Sequence, residues 1–302
     1  MTQYLLPVLL LAVMEVSLSF DNAVVNATVL RNMSLVWQRR FLTWGILIAV
    51  FGMRLVLPVV IVSVAGGMGM GEVARMAIGD PEEYGRQLAS SHVAIASFGG
   101  IFLLMVFLGF LLDAGKETHW IGPLERHLVM VGRIEAAAIA IALAVILCLP
   151  TASLVPGMLG LLCYLFVNGL MGTCGDDPTA CVSGKGGLAA FIYLEVLDAS
   201  FSLDGVVGAF AMSNNIVVIM IGLGIGAAVI RTLTVRLVRG GTLSEFIYLE
   251  HGAHYGIGAL AILMLVSTVY HVSEIVTGLA GVGFILLALA SSVIHNRKGL
   301  AR

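Results

Sequence analysis

Long apolar stretches separated by short polar segments dominate the chain. A helix needs about 20 largely apolar residues to cross a bilayer, and nine segments fit this pattern: roughly 5–30, 41–66, 92–112, 134–149, 155–172, 188–213, 215–236, 255–271 and 275–294. The fourth and fifth segments are short and flank Pro150 and Pro156, so they are either two spans or one kinked helix. The pattern predicts an all-α polytopic membrane protein with about nine transmembrane helices.

Composition supports this fold class and excludes others. Of the 302 residues, 59% are hydrophobic and 11% charged, whereas soluble domains are about 45–50% apolar and about 25% charged. The net charge is -2 without any basic block, which argues against a nucleic-acid partner. We therefore expect residues 1–302 to form a single transmembrane domain whose first partner is the lipid bilayer.

The distribution of basic residues predicts the orientation. With nine spans and the N-terminus outside, 13 of the 16 lysines and arginines fall in cytoplasmic segments, as expected because such segments collect positive charge. With eight spans the last two loops would exchange sides of the membrane, and the bias would disappear. The C-terminus is therefore predicted to be cytoplasmic, and the segments at about 67–91 and 113–133 are predicted to be loops.

A motif in the first apolar segment recurs in the sixth. EVSLSFD at residues 15–21 matches DASFSLD at residues 198–204, with a constant offset of 183. Two further matches follow in the same order: Arg54 with Arg231, and His92 with His254. These matches predict an internal duplication.

The predicted topology makes the two copies antiparallel, since a two-helix connector separates them. The predicted parts are repeat one at 5–112, the connector at 134–172, repeat two at 188–271 and a final helix at 275–294. Inverted repeats place a substrate site near the midplane, at the interface between the copies.

Five acidic residues lie within the two matching spans. An ionised carboxylate at this depth costs about 2.5–3.5 kcal/mol on insertion scales, so its presence there indicates a functional site. Serine and asparagine side chains share their helical faces, and oxygen ligands of this kind suit a hard divalent cation such as Mn²⁺, Ca²⁺ or Mg²⁺. The predicted ligands of such a transported ion, which requires no resident cofactor, are Glu15, Ser19, Asp21, Asn22, Glu195, Asp198, Ser202 and Asp204.

Helix geometry restricts how the first motif can bind one ion. In a straight helix Glu15 and Asp21 would be about 9 Å apart along the axis and about 120° apart around it. They can share an ion only if the helix is interrupted between them, and Ser17-Leu-Ser19 is the expected place. Otherwise they belong to successive sites.

An alternative is that the acids form buried ion pairs with Arg54 and Arg231 and only fix the helix packing. Five acids against two arginines leave a negative surplus, which favours a cation site even if some pairing occurs. The two arginines, with His92 and His254, are therefore predicted to act in gating or coupling. Because buried carboxylates take up protons when no cation is bound, protons are a second predicted partner.

The two acid-rich spans resemble the TerC family of integral membrane proteins. The resemblance rests on FIYLEVLDASFSLDGVVGAFAMSNN followed by EFIYLEHGAHYGIGALAILML. It implies a lysine-exporter-like transporter that exports divalent metal, chiefly manganese, across the bacterial inner membrane, with Asp21, Asn22, Asp198 and Asp204 at the metal site. The second copy has Gly205 where the first has Asn22, so the halves need not contribute equal ligands.

The predicted function is a secondary transporter, not an enzyme, that moves a divalent cation by alternating access. One alternative is an intramembrane protease with Asp21 and Asp204 as its dyad, although Phe201, Ser202 and Leu203 precede Asp204 where GxGD is expected. Another is a non-transporting membrane partner in secretion. The sequence leaves the oligomeric state open.

Overall fold

The structure is a computed structural model that describes residues 2–113, 115–116, 118–122, 125, 136–172, 185–213, 215–270 and 272–300. Within these ranges every regular element is a helix. The side chains of a few helical residues, including Asp204, lie outside the description.

The helices follow one another with short connections. The first half contains α1 (Thr2–Leu18), α2 (Phe20–Leu30), α3 (Leu35–Leu47), a π-helix (Ile48–Val56), α4 (Leu57–Gly66), α5 (Met70–Gly79), α6 (Pro81–Ser90) and α7 (His92–Leu111). The second half contains α8 (Ala137–Cys148), α9 (Thr151–Gly172), α10 (Lys185–Met212), α11 (Ile216–Arg239), α12 (Thr242–Glu245), α13 (Leu249–Ser267) and α14 (Glu274–Leu300).

Six of the described helices are long and apolar enough to cross a membrane, and the bent pair α1 and α2 would be a seventh if it forms one span. The chain is therefore a polytopic all-α membrane protein. Helix α10 has 28 residues, or about 42 Å at 1.5 Å per residue, but it carries several charged residues. Helix α8 has only 12 residues. The predicted connector consists of two helices, α8 and α9, that are broken at Leu149 and Pro150.

The first predicted span is broken between Glu15 and Asp21. Helices α1 and α2 meet at Ser19 with a bend of 54°, and Ser19 itself leaves the helical conformation with ψ of 14°. The Ser17 hydroxyl donates to the carbonyl of Val13 one turn earlier, a contact that commonly bends helices. Of the two alternatives for the first motif, the structure shows the interrupted helix, whereas the matching helix α10 is continuous.

The connection at about 67–91 contains two short helices, α5 and α6, neither of which is a candidate membrane span. Pro81 starts α6, where a missing N–H costs nothing, and the Asp80 side chain accepts a hydrogen bond from the N–H of Glu83 at 3.1 Å. Tyr84 of α6 packs edge-on against Phe210 near the end of α10, with ring centroids 5.5 Å apart. Local capping thus turns a connection into a helical pair that covers the end of α10.

Glycines allow close approach of the helices around the bent pair. A Cβ on Gly222 of α11 would lie 3.0 Å from the carbonyl oxygen of Val8 in α1, and one on Gly252 of α13 would lie 2.8 Å from that of Phe284 in α14. Small residues at helix contacts are typical of membrane bundles. As a result α2 packs among α10, α11, α13 and α14, at the centre of the bundle.

Candidate functional site

The predicted polar residues of the first and sixth spans are buried inside the bundle. Each of those whose side chain the structure describes is less than 10% exposed: Glu15, Ser19, Asp21, Asn22, Arg54, Glu195, Asp198, Ser202 and Arg231. Asp204 lies on α10, but its side chain is outside the described residues. The predicted pairing of Asp21 with Asp204 therefore lies outside the described part of the structure.

Glu15 forms an ion pair with Arg54. The Arg54 side chain comes from the π-helix, where the wider turn is a feature frequent at functional sites. Arg54 Nη2 donates to Glu15 Oε1, Nη1 donates to the carbonyl of Ala49 at 2.6 Å, and the Ser19 hydroxyl donates to Glu15 Oε1 at 3.1 Å. The first carboxylate is thus held by a cation and by the residue at the bend.

Arg231 of α11 forms the second set of ion pairs. Its two terminal nitrogens donate to the two carboxylate oxygens of Glu195, each at 2.9 Å, and Nη2 also donates to Asp198 Oδ2 at 3.0 Å. The guanidinium lies 4.3 Å from the ring centroid of Phe41 in α3. Bidentate geometry and burial make this a rigid contact between α3, α10 and α11.

A hydrogen bond connects the bent helix to the second set. Asn22 Nδ2 donates to Asp198 Oδ1 at 2.8 Å, which joins α2 to α10. We call Glu15, Arg54, Glu195, Asp198 and Arg231 the ion-pair network. Three of the acids thus form the ion pairs with Arg54 and Arg231 that the sequence offers as the alternative to a cation site.

Glycines provide the space that the network occupies. A Cβ on Gly226 of α11 would lie 2.5 Å from Cβ of Glu15, and one on Gly45 of α3 would lie 2.8 Å from Glu195 Oε1. Because the side chains fill this space, the charged groups and the backbone of neighbouring helices are in direct contact. These glycines could not be identified beforehand, since nothing in the local sequence distinguishes them from the other glycines of the chain.

Asp21 lies apart from the network. Its carboxylate accepts a hydrogen bond from the N–H of Asn22 at 2.9 Å, and within the described ranges no lysine or arginine pairs with it. Its Oδ2 packs against Gly256 of α13 and Gly281 of α14. Glu15 and Asp21 thus lie on either side of the bend at Ser19. Glu15 pairs with Arg54, and Asp21 contacts the two glycines.

The described part of the site carries more negative than positive groups. This part contains four buried carboxylates, Glu15, Asp21, Glu195 and Asp198, and two buried arginines. Neutral oxygens without a hydrogen-bond partner lie on the same helices: Asn22 Oδ1, Asn26 Oδ1 and Ser202 Oγ. However, the described residues contain no group of three His, Cys, Asp or Glu side chains arranged to hold a metal ion.

The two matching histidines lie in different surroundings. His92 is the first residue of α7 and is half-buried. His254 lies within α13, where its ring stacks on Phe110 with centroids 3.9 Å apart and its Nδ1 donates to the carbonyl of Glu250 at 2.8 Å. The match in sequence therefore does not give the two histidines the same surroundings.

A second buried polar cluster, which sequence analysis missed, ties the segment after α7 to α13. Glu125 is fully buried and pairs with Lys116 at 3.3 Å, and it accepts hydrogen bonds from the N–H of Ile121 at 3.2 Å and from the Tyr255 hydroxyl at 3.0 Å. Burial alone would raise the pKa of Glu125. These contacts and nearby His251 outweigh burial and lower the pKa below its ordinary value.

Fold and site together define a polytopic helical membrane protein with a charged network at the contact of its first span with α10. The chain matches a family described as "Protein of unknown function (DUF475)" over residues 20–299, and it belongs to that family. No curated protein and no solved structure matches the chain. The resemblance to the TerC family is therefore wrong, because the family that matches is a different one. Acid-rich spans with small residues are too general a pattern to decide between families.

Proposed function

We propose that the protein is a secondary transporter of a hard divalent cation, with Mn²⁺ as the first ion to test. The observation that carries the proposal is the charge balance of the buried site: within its described part, four carboxylates are accompanied by only two arginines. The proposal rests on the chemistry of this site alone and not on family membership.

The unbalanced charge requires a cation or protons. Each charged side chain at the centre of a bilayer costs about 2.5–3.5 kcal/mol on insertion scales. Two arginines neutralise two of the four carboxylates, so two negative charges remain to be compensated. A divalent cation supplies this charge in one step, and protons supply it when the cation is absent, which couples the two species.

The available donors favour a hard cation. Ca²⁺, Mg²⁺ and Mn²⁺ prefer carboxylate, amide, hydroxyl and water oxygens. Asn22 Oδ1 and Ser202 Oγ are buried without a hydrogen-bond partner, and each belongs to the predicted ligand set together with Glu15, Ser19, Asp21, Glu195, Asp198 and Asp204. These two oxygens have lone pairs that a cation would use.

The two arginines compete with the cation for the same carboxylates, which accounts for two alternating conformations. In the described conformation Arg54 and Arg231 hold Glu15, Glu195 and Asp198, so a cation reaches these carboxylates only when the guanidinium groups withdraw. The arginine and the transported ion then stabilise the carboxylates in different conformations. The break at Ser19 is where α1 and α2 change their relative angle.

We further propose that the site lies between inverted repeats at 5–112 and 188–271 in a nine-span bundle. Support comes from the ion pairs: with the offset of 183 between the motifs, Glu15 corresponds to Asp198, and each pairs with the matching arginine of its own copy, Arg54 or Arg231. The N-terminus is outside, the C-terminus is cytoplasmic and the membrane is the bacterial inner membrane. Transport is directed outward, in exchange for protons.

Flux in proteoliposomes tests the proposal. The wild type is expected to move Mn²⁺ across the membrane and to be stabilised by Mn²⁺ against thermal unfolding. Asp21→Asn and Asp204→Asn should each abolish flux while the protein still folds. Glu72→Gln, which changes an exposed acid on α5, is the matched control and should transport normally.

Three outcomes separate the proposal from its alternatives. If both Asp21→Asn and Asp204→Asn still transport Mn²⁺, the site is wrongly assigned. Cleavage of a membrane peptide that is blocked by aspartyl-protease inhibitors would point to the protease. Folded protein with neither flux nor Mn²⁺-dependent stabilisation would point to a non-transporting partner.

A further inference from the structure

The carboxylate of Asp21 lies in a slot made by two glycines from two different helices. An ideal Cβ on Gly281 of α14 would be 2.7 Å from Asp21 Oδ2 and 3.1 Å from its Cγ. A Cβ on Gly256 of α13 would be 3.4 Å from the same oxygen and 3.3 Å from Cα of Gly281. Three helix backbones therefore meet at the carboxylate, and we call this arrangement the glycine slot.

The same face of α14 also supports the bend next to Asp21. A Cβ on Gly278, one turn before Gly281, would lie 2.7 Å from Leu18 Cδ2 at the end of α1. Helix α14 thus packs against both sides of the break at Ser19. Its position sets the position of the first residues of α2 and so of the Asp21 side chain.

Close helix packing alone does not account for a carboxylate in this place. Glycine contacts between helices normally accept apolar or backbone atoms, whereas Asp21 is 3% exposed and has no cationic partner within the described ranges. A buried acid in this environment is costly. Asp21 Oδ2 lies within contact distance of both glycines, so the backbones of α13 and α14 limit where the carboxylate can lie.

We infer that Gly281, together with Gly256, is a positioning element for the Asp21 carboxylate, so that α14, which lies outside both predicted repeats, forms one wall of the transport site. The inference rests on the proposed function. It gives a role to α14, which the two predicted repeats do not include. The glycine slot then affects both the apparent KM for the cation and the maximal rate of transport.

The slot tolerates no added methyl group without moving Asp21. With alanine at position 281 the carboxylate must shift by about 0.7 Å to restore ordinary contact distance, and misplacement of about 1 Å can lower the rate of a positioned reaction about 100-fold. Alanine is a better helix former than glycine, so α14 itself remains helical. The effect is therefore on position and not on the helix.

The test compares Gly281→Ala with Gly283→Ala in proteoliposomes loaded with Mn²⁺. Gly283 is on the same helix, and a Cβ there would meet nothing within 4 Å. We expect Gly281→Ala to lower the maximal Mn²⁺ flux at least 10-fold and to change the apparent KM, and Gly283→Ala to remain within twofold of wild type. If the wild type transports Mn²⁺ and the Gly281→Ala variant transports it equally fast, the inference is overturned and the proposed function still stands.

A thermal double-mutant cycle tests the geometry without relying on transport. Gly281→Ala should lower the melting temperature of the wild type, but not that of the Asp21→Ala variant, whose side chain no longer reaches the slot. Equal effects in both backgrounds overturn the inference. Absence of Mn²⁺ flux in the wild type contradicts the proposed function, and with it the transport role of the slot.

Discussion

Replacement of Arg231 by methionine is expected to destabilise the protein strongly. Arg231 is 2% exposed and makes three hydrogen bonds to the carboxylates of Glu195 and Asp198 at 2.9–3.0 Å. Methionine retains much of the volume but removes the charge, so that two neighbouring buried carboxylates lose their shared cation. The perturbation is therefore electrostatic more than steric.

The expected magnitude follows from the cost of leaving buried charge unpaired. Removal of one partner from a buried ion pair costs about 3–5 kcal/mol, which for a chain of this length corresponds to a melting temperature lowered by about 5–10 °C. Thermal unfolding of purified protein in detergent measures the shift. Arg236→Met is the matched control: Arg236 lies on the same helix but is exposed, so its loss should have little effect.

A compensating variant separates charge from packing. If unpaired carboxylates cause the loss, then Arg231→Met combined with Glu195→Gln and Asp198→Asn should recover most of the stability, since replacing a whole buried ion pair by neutral groups is often nearly neutral. Equal melting temperatures for Arg231→Met and Arg236→Met would refute the assignment of the ion pairs. Failure of the triple variant to recover would refute the electrostatic cause.

Two further predictions concern other parts of the bundle. Because the pKa of Glu125 is below its ordinary value of 4.5 in the folded protein, its contribution to stability is present above about pH 4.5 and is lost as the pH falls through the lower folded value. The melting temperature of the wild type should therefore decrease more steeply on acidification than that of Glu125→Gln. The control variant Glu72→Gln should behave like the wild type. Parallel pH profiles for all three proteins would contradict the lowered pKa. At the contact of α9 with α7, a Cβ on Gly160 would overlap the carbonyl oxygen of Phe98, so Gly160→Ala should lower the free energy of unfolding by about 1–3 kcal/mol. Gly169→Ala, on the open face of α9, should lower it much less. Equal losses in thermal unfolding of the two variants would argue against this helix contact.

Several features of the site could be predicted from local sequence. The motif at 15–21 contains two acids whose helical spacing does not allow them to share a ligand, and serines between them that compete for backbone hydrogen bonds. The interrupted helix was one of the two alternatives that this spacing allowed, and the bend at Ser19 is the one that the structure shows. The pairing of the acids with Arg54 and Arg231 was likewise predicted as an alternative, because buried arginines require carboxylate partners.

Other features depend on helix rotation and distance, which no local pattern encodes. The motifs at 15–21 and 198–204 match in sequence, yet α10 is continuous where α1 and α2 are bent. His92 and His254 match in sequence, but one begins α7 and the other is buried against Phe110. The connection at about 67–91 is helical because of the cap at Asp80 and the packing of Tyr84 on Phe210, and the second of these contacts is not visible in the local sequence.

The sequence by itself determined that the chain crosses the membrane several times as helices and that it carries a surplus of acids within them, because hydrophobicity and charge are properties of each residue. Tertiary structure decided which of these acids are neutralised. Arg54 and Arg231 hold Glu15, Glu195 and Asp198, while Asp21 lies between Gly256 and Gly281. These partners are distant in sequence, and they meet only because the glycines allow the helix backbones to approach closely.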